Sequence, residues 1–100
     1  MPTEKQFQSA VVQLAKANGF MVYHTHDSRK SEPGFPDLVL CRNGRIIFAE
    51  LKSESGKLTD AQIKWRDMLS TACGKNVQVA TWWPKDWPEI ELILSRRLSL

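Results

Sequence analysis

Long apolar runs are missing from this 100-residue chain. No stretch approaches the ~20 apolar residues of a membrane span, so no membrane role is expected. The N-terminus, Met1-Pro2-Thr3-Glu4-Lys5, lacks the apolar segment of a secretion signal. Cysteine is scarce. Cys41 and Cys73 form neither a disulfide framework nor a metal-ligand spacing, which points to a reducing cytoplasm. Glycine and proline number five each, too few for a collagen-like or low-complexity chain. Charge of one sign is not in great excess either. The 14 Lys and Arg against 11 Asp and Glu leave +3, which permits a polyanionic partner without demonstrating one. What is present is a 42% hydrophobic content, enough for one modest core and one domain spanning residues 1–100.

The elements follow from caps and periodicity. Thr3 with Gln6 forms a capping-box pattern ahead of Phe7, Ala10, Val11, Leu14 and Ala15 at helical spacing, and Asn18-Gly19 ends that helix. Phe20–Tyr23 is a β-prone run expected to continue to His26, and Asp27–Pro36 is a breaker-rich loop. Two strands are expected at Asp37–Cys41 and Arg45–Lys52, then a polar loop over Ser53–Leu58. Thr59 and Gln62 repeat the capping box for a helix reaching about Ala72, and Val77–Trp82 reads as a fourth strand. Pro84 suits a first helical position, so Asp86 to about Leu98 reads as a helix; the alternation of Ile90, Leu92 and Leu94 leaves a strand open. The order is αβββαβα, an α/β domain with a mixed sheet flanked by helices.

Asn43-Gly44 between two apolar runs signals a two-residue type I′ hairpin. That turn pairs Arg42 with Arg45 and sets every later pair, so Asp37 falls opposite Glu50. Both faces of the ribbon are apolar, which places it in the middle of the sheet. Like charges directly paired are destabilising and need compensation: a shared proton, a basic side chain between them, or a cation. Lys52 projects from the same face as Glu50. Two acids and a lysine at a strand-pair end suit a hard divalent ion such as Mg²⁺. They suit a structural Asp–Lys–Glu network equally well. Glu4 precedes Phe7 by three and Val11 by seven, which puts it on the inward stripe, although a first-turn acid is also favoured by the helix dipole. Gln62 stands in the same relation to Trp65 and Leu69, and its capping role alone would explain it.

With Glu4, Pro36-Asp37, Glu50-Leu51-Lys52 and Gln62 in place, the chain resembles the PD-(D/E)xK nuclease superfamily and, within it, the VRR-NUC domains, including stand-alone phage versions. The matching stretches are Gly34–Val39, Phe48–Lys52 and Gly56–Gln62. The resemblance implies a restriction-endonuclease-like fold and Mg²⁺- or Mn²⁺-dependent hydrolysis of DNA phosphodiesters. Asp37, Glu50 and the backbone carbonyl of Leu51 would bind the metal, and Glu4 would bind it directly or through water. Lys52 would stand beside the attacking water and the scissile phosphate, and Gln62 would orient a water or Lys52. It further implies similarity to Holliday junction resolvases, action on branched DNA as a homodimer, and a place in the cytoplasm of a bacterium or phage host. Cleavage of flaps or duplex, or DNA binding without catalysis, are the alternatives.

The remaining candidates are weaker. Arg29, Lys30 and Lys57 lie on loops flanking the expected site and suit phosphate contacts, or simply solubility. His24 and His26 share a strand face, a possible metal arm or a rim position. Trp82, Trp83 and Trp87 fit core or dimer-interface anchors better than base-stacking platforms. Lys64 with Arg66, and Arg96 with Arg97, read as solvated helix faces.

Overall fold

The computed structural model describes residues 2–25, 30–72 and 74–96. Expectations resting on His26, Asp27, Ser28, Arg29, Cys73, Arg97 and Leu98 lie outside the described residues. Helix α1 spans Glu4–Ala17, strands β1, β2 and β3 span Met21–His24, Leu38–Arg42 and Arg45–Leu51, helix α2 spans Asp60–Thr71 and strand β4 spans Val77–Trp82. A 3₁₀ turn at Pro84–Asp86 leads into helix α3, Trp87–Ser95. The order is the αβββαβα expected.

Both capping boxes form. The Thr3 hydroxyl accepts from Gln6 N at 3.1 Å while Gln6 Oε1 accepts from Thr3 N at 2.9 Å. Thr59 and Gln62 repeat the exchange at 3.2 and 2.8 Å. The Asn43-Gly44 turn has φ of 44° and 79°, positive at both positions as a type I′ turn requires. The resulting register pairs Leu38 with Ala49 and Arg42 with Arg45.

The sheet order is β1-β2-β3-β4, with β4 parallel to β3 and the other pairs antiparallel. Hairpin β2–β3 is therefore central. Strand alternation sends Leu38, Leu40, Ile47, Ala49 and Leu51 to one face, where they are fully buried with Phe7, Val11 and Ala15 of α1 and Ile90 and Leu94 of α3. The other face is only half covered. Val39 and Phe48 are half-buried and Cys41 is exposed, so the ribbon is central in the sheet but sealed on one side only. The segment Ile90-Glu91-Leu92-Ile93-Leu94 is helical: Ile90 and Leu94, four apart, are buried, and Leu92 points outward, 72% exposed. Lys64 and Arg66 lie on exposed helix faces as expected.

At the turn end, Arg42 and Arg45 are buried on the α1 side. Arg42 Nη1 donates to the carbonyls of Asn18 (2.8 Å) and Leu94 (3.2 Å), and Nη2 to that of Arg96. Arg45 Nη1 donates to Ile93 O at 2.9 Å. These carbonyls close the ends of α1 and α3, so the paired cations compensate groups that the helices leave unsatisfied. The Arg42 guanidinium also lies 4.5 Å from the Phe20 ring centre. Among the described residues, no helix is long and apolar enough to cross a membrane.

Candidate active site

The opposite end of the hairpin carries the acids. Asp37 immediately precedes β2, and its Oδ2 accepts from Leu51 N at 2.8 Å. In a strand the N–H and C=O of one residue point to the same edge, so the Leu51 carbonyl also faces the Asp37 side. Glu50 lies on the half-covered face and is 7% exposed. Its Oε2 accepts from Gln62 Nε2 at 2.8 Å and stands 3.8 Å from Lys52 Nζ. Its Oε1 is buried with no hydrogen-bond partner among the described residues.

Gln62 caps α2 as its position suggested and also bonds Glu50, a contact that was not anticipated. Its amide oxygen caps α2 through Thr59 N, and its amide nitrogen holds Glu50. Gly34 makes this possible. The loop crosses the first turn of α2 so closely that a Cβ on Gly34 would lie 2.4 Å from Ala61 C, 2.5 Å from Ala61 O and 2.8 Å from Gln62 N, and its φ is +91°. Phe35 anchors the same loop, meeting Phe48 and Trp65 edge-on at centroid distances of 6.3 and 5.1 Å. Asp37 follows two residues later, so packing of Phe35 fixes where its carboxylate stands.

Burial pushes the Glu50 carboxyl up to about 8, the adjacent Asp37 adds to the rise, and Lys52 opposes it. Two carboxyl groups side by side can be joined only by a proton or a cation. A bound cation would relieve that repulsion in place of the proton.

A cleft of about 250 Å³ brings Glu4, Asp37, Glu50 and Gln62 together. Glu4 is exposed rather than turned into the core, but it stands at the start of α1 on the wall of this cleft. Thr25, Ser31 and Glu32 also line it and were not anticipated. Thr25 could have been found by extending the β1–β2 register by one pair, since its N–H bonds Asp37 O at 3.1 Å. Lys30 and Lys57 are exposed on the flanking loops. His24 pairs with Leu38 and so faces the α1 side of the sheet, away from the carboxylates. Trp82 is core and Trp87 packs against it, whereas Trp83 Nε1 donates to Gly56 O at 2.8 Å and ties down the loop after β3.

Among the described residues, no three His, Cys, Asp or Glu side chains gather closely enough to form a metal-binding group of their own. Asp37 and Glu50 form a pair, and Glu4 and Glu32 stand elsewhere on the cleft wall. That set still fits a hard divalent ion, which takes one or two carboxylates and completes its shell with carbonyl, water and phosphate oxygens. The buried, donorless Oε1 of Glu50 beside Asp37 is the oxygen such an ion would satisfy.

The profile of the VRR-NUC domain matches residues 1–82 of the chain. The chain belongs to the VRR-NUC family. This is a nuclease-type fold of DNA processing. A solved structure described as a VRR_NUC domain superposes with a TM-score of 0.68 at 22% identity, covering 95% of this chain and 97% of that one. At that identity the likeness shows the fold. No curated protein matches the chain. The VRR-NUC match ends at Trp82, so it includes every residue of the cleft described above, and α3 lies beyond it.

Proposed function

We propose that this VRR-NUC chain is a divalent-metal-dependent DNA endonuclease that hydrolyses phosphodiesters in branched DNA, four-way junctions foremost, and works as a homodimer. One observation carries the metal dependence: Glu50 places a buried oxygen with no donor beside a second carboxylate, and the resulting repulsion is one that Mg²⁺ or Mn²⁺ relieves.

Asp37, Glu50 and the Leu51 carbonyl would hold the ion, with Glu4 reaching it through water from across the cleft. When bound, it supplies a more acidic water and neutralises phosphate oxygens. The chain's own residues do the rest. Leu51 N–H fixes one oxygen of Asp37, and Gln62 fixes one oxygen of Glu50, so neither carboxylate must reorganise when substrate arrives. Lys52, held 3.8 Å from Glu50, sets an ammonium beside the pair, from which it would donate to the attacking water or to a phosphate oxygen. Lys30 and Lys57, exposed on the flanking loops, supply cations to a phosphodiester backbone. Resolving a four-way junction takes two symmetric nicks, and the described residues of one chain carry one Asp37–Glu50 pair, so two copies supply the two sites.

The test is cleavage of labelled junction, flap and linear duplex with Mg²⁺, Mn²⁺ or EDTA. Paired symmetric nicks in the junction, lost in EDTA and in Asp37→Asn, are expected. Cleavage of flap or duplex with the junction intact would replace the substrate assignment. Binding without metal-dependent cleavage of any of the three would refute the enzyme.

A further inference from the structure

Strand β4 is an edge of the sheet, and among the described residues no strand pairs with its outer side. Ile46 N donates to Asn76 O and Lys52 N to Trp82 O, both at 2.9 Å. A parallel ladder uses alternate residues of the strand, so Gln78, Ala80 and Trp82 turn their main chain toward β3. Val77, Val79 and Thr81 turn theirs outward. The Val77 N–H is used by Gly74 O at 3.3 Å, but among the described residues no main-chain partner reaches Val79 or Thr81 on that side. The segment Val77–Trp82 is six residues long, uncharged and β-prone, without the proline or lysine that commonly protects an edge. A groove of about 390 Å³ runs along it, flanked by Lys85, Asp86 and Glu89.

We propose that this groove receives β4 of a second copy of the chain, antiparallel, joining two four-stranded sheets into one of eight. The reason for a second copy is self-complementarity. A two-fold axis through Val79 sets Val79 opposite its twin, Thr81 opposite Val77 and Trp83 opposite Lys75. The outward N–H and C=O of Val79 and the N–H of Thr81 then find partners, and the Thr81 carbonyl meets a Val77 N–H that must leave its 3.3 Å contact with Gly74 O. The charges agree as well. Asp86 Oδ2 accepts from Trp83 N at 2.9 Å, so the acid stands where Lys75 of the second copy arrives, and symmetry repeats the pair. Side chains directly opposed in an antiparallel pair share a face, so both carboxylate clefts open on the α2 side of the joined sheet. Glu50 pairs with Thr81, which puts the two Glu50 residues three strand spacings and four residues apart, on the order of 20 Å. That spacing deepens, and for its meaning rests on, the two-nick reading of the nuclease.

The experiment is the mass in solution at tens of micromolar, by sedimentation, for wild type, Val79→Pro, Lys75→Glu and Tyr23→Asp. Proline at 79 removes only an outward N–H and leaves the ladder to β3 intact. Wild type should be a dimer, and Val79→Pro should show a two-fold lower mass, 11.4 kDa, with an unchanged circular dichroism spectrum. Lys75→Glu, at an exposed position, should raise the dimer dissociation constant about tenfold or more at low salt; it decides the matter if Val79→Pro fails to fold. Tyr23→Asp, on the opposite edge strand, should remain dimeric. A monomeric wild type, unaltered dimerisation of Lys75→Glu, or dissociation by Tyr23→Asp alone would overturn the interface. Mass is read independently of cleavage: an inactive dimer overturns the nuclease, and an active monomer overturns the interface.

Discussion

Replacing Gly34 with alanine tests how the loop and α2 hold the site together. The new Cβ would fall 2.4–2.8 Å from Ala61 C, Ala61 O and Gln62 N, all of them backbone atoms that cannot rotate away. Two costs combine. An L-residue held at φ +91° is disfavoured by about 1–2 kcal/mol. Forcing an extra carbon into a closed contact costs about 1–3 kcal/mol more. Together these reach about 2–5 kcal/mol, a large part of the ~5–15 kcal/mol that stabilises a typical domain. For a chain of this size each kcal/mol lowers Tm by about 4–8 °C, so Gly34→Ala should melt at least about 8 °C below wild type. The first turn of α2 can relieve part of the clash by moving outward, but then Gln62 Nε2 leaves Glu50 Oε2 and cleavage falls. Thermal melts followed by circular dichroism, with junction cleavage on the same samples, check both outcomes. A variant that melts within about 2 °C of wild type and cleaves normally would refute the close approach.

Three further outcomes are expected. In EDTA the native protein should lose stability as pH rises from near 5 to above 8, because folding raises the Glu50 carboxyl from the usual range to about 8 and the native state therefore binds the extra proton in that window; urea titrations should show the slope flattened in Glu50→Gln. Gln62→Ala should lose about 1 kcal/mol from the broken cap and also free the Glu50 carboxylate, whereas Gln62→Glu keeps a capping acceptor and sets a third acid against Glu50, so cleavage by Gln62→Glu should fall although its helix cap survives; a melt and a cleavage assay separate the two effects. Arg42→Ala should cost about 3 kcal/mol or more, since it strands helix-end carbonyls in a buried setting, and Arg42→Lys should recover only part of that loss because an ammonium lacks the guanidinium fork; equilibrium urea denaturation reads both.

Much of the site was legible because short-range chemistry determined it. The Asn43-Gly44 turn set the pairing of β2 with β3, and with it the meeting of Asp37 and Glu50. The Thr59–Gln62 box placed Gln62 one turn into a helix whose start faces those acids. What sequence reasoning missed depends on contacts between distant segments. Gly34 is required by the helix that crosses it, and its neighbours in the chain give no sign of that approach. Arg42 and Arg45 flank a turn, where charged residues are ordinarily solvated; their burial follows from the ends of α1 and α3 converging on the same corner. The alternation of Ile90, Leu92 and Leu94 fits two periods, and packing of α3 against α1 selects the helical one. Glu4 was placed on the correct side of α1, but the helix begins beyond the sheet's cover, which leaves the acid in solvent at the cleft wall.

Because one amide both closes α2 and restrains Glu50, the local melting of a helix end enters the rate of the chemistry. Helix ends open far more often than whole domains do. If the first turn of α2 opened with a free energy of about 1 kcal/mol, about one molecule in six would carry an unrestrained Glu50 at any instant, and turnover would scale with the closed fraction. Warming enlarges the open population well before the core gives way. An Arrhenius plot of cleavage would then bend downward while the circular dichroism of the chain stayed flat, and the temperature of that bend would report the strength of a single helix cap.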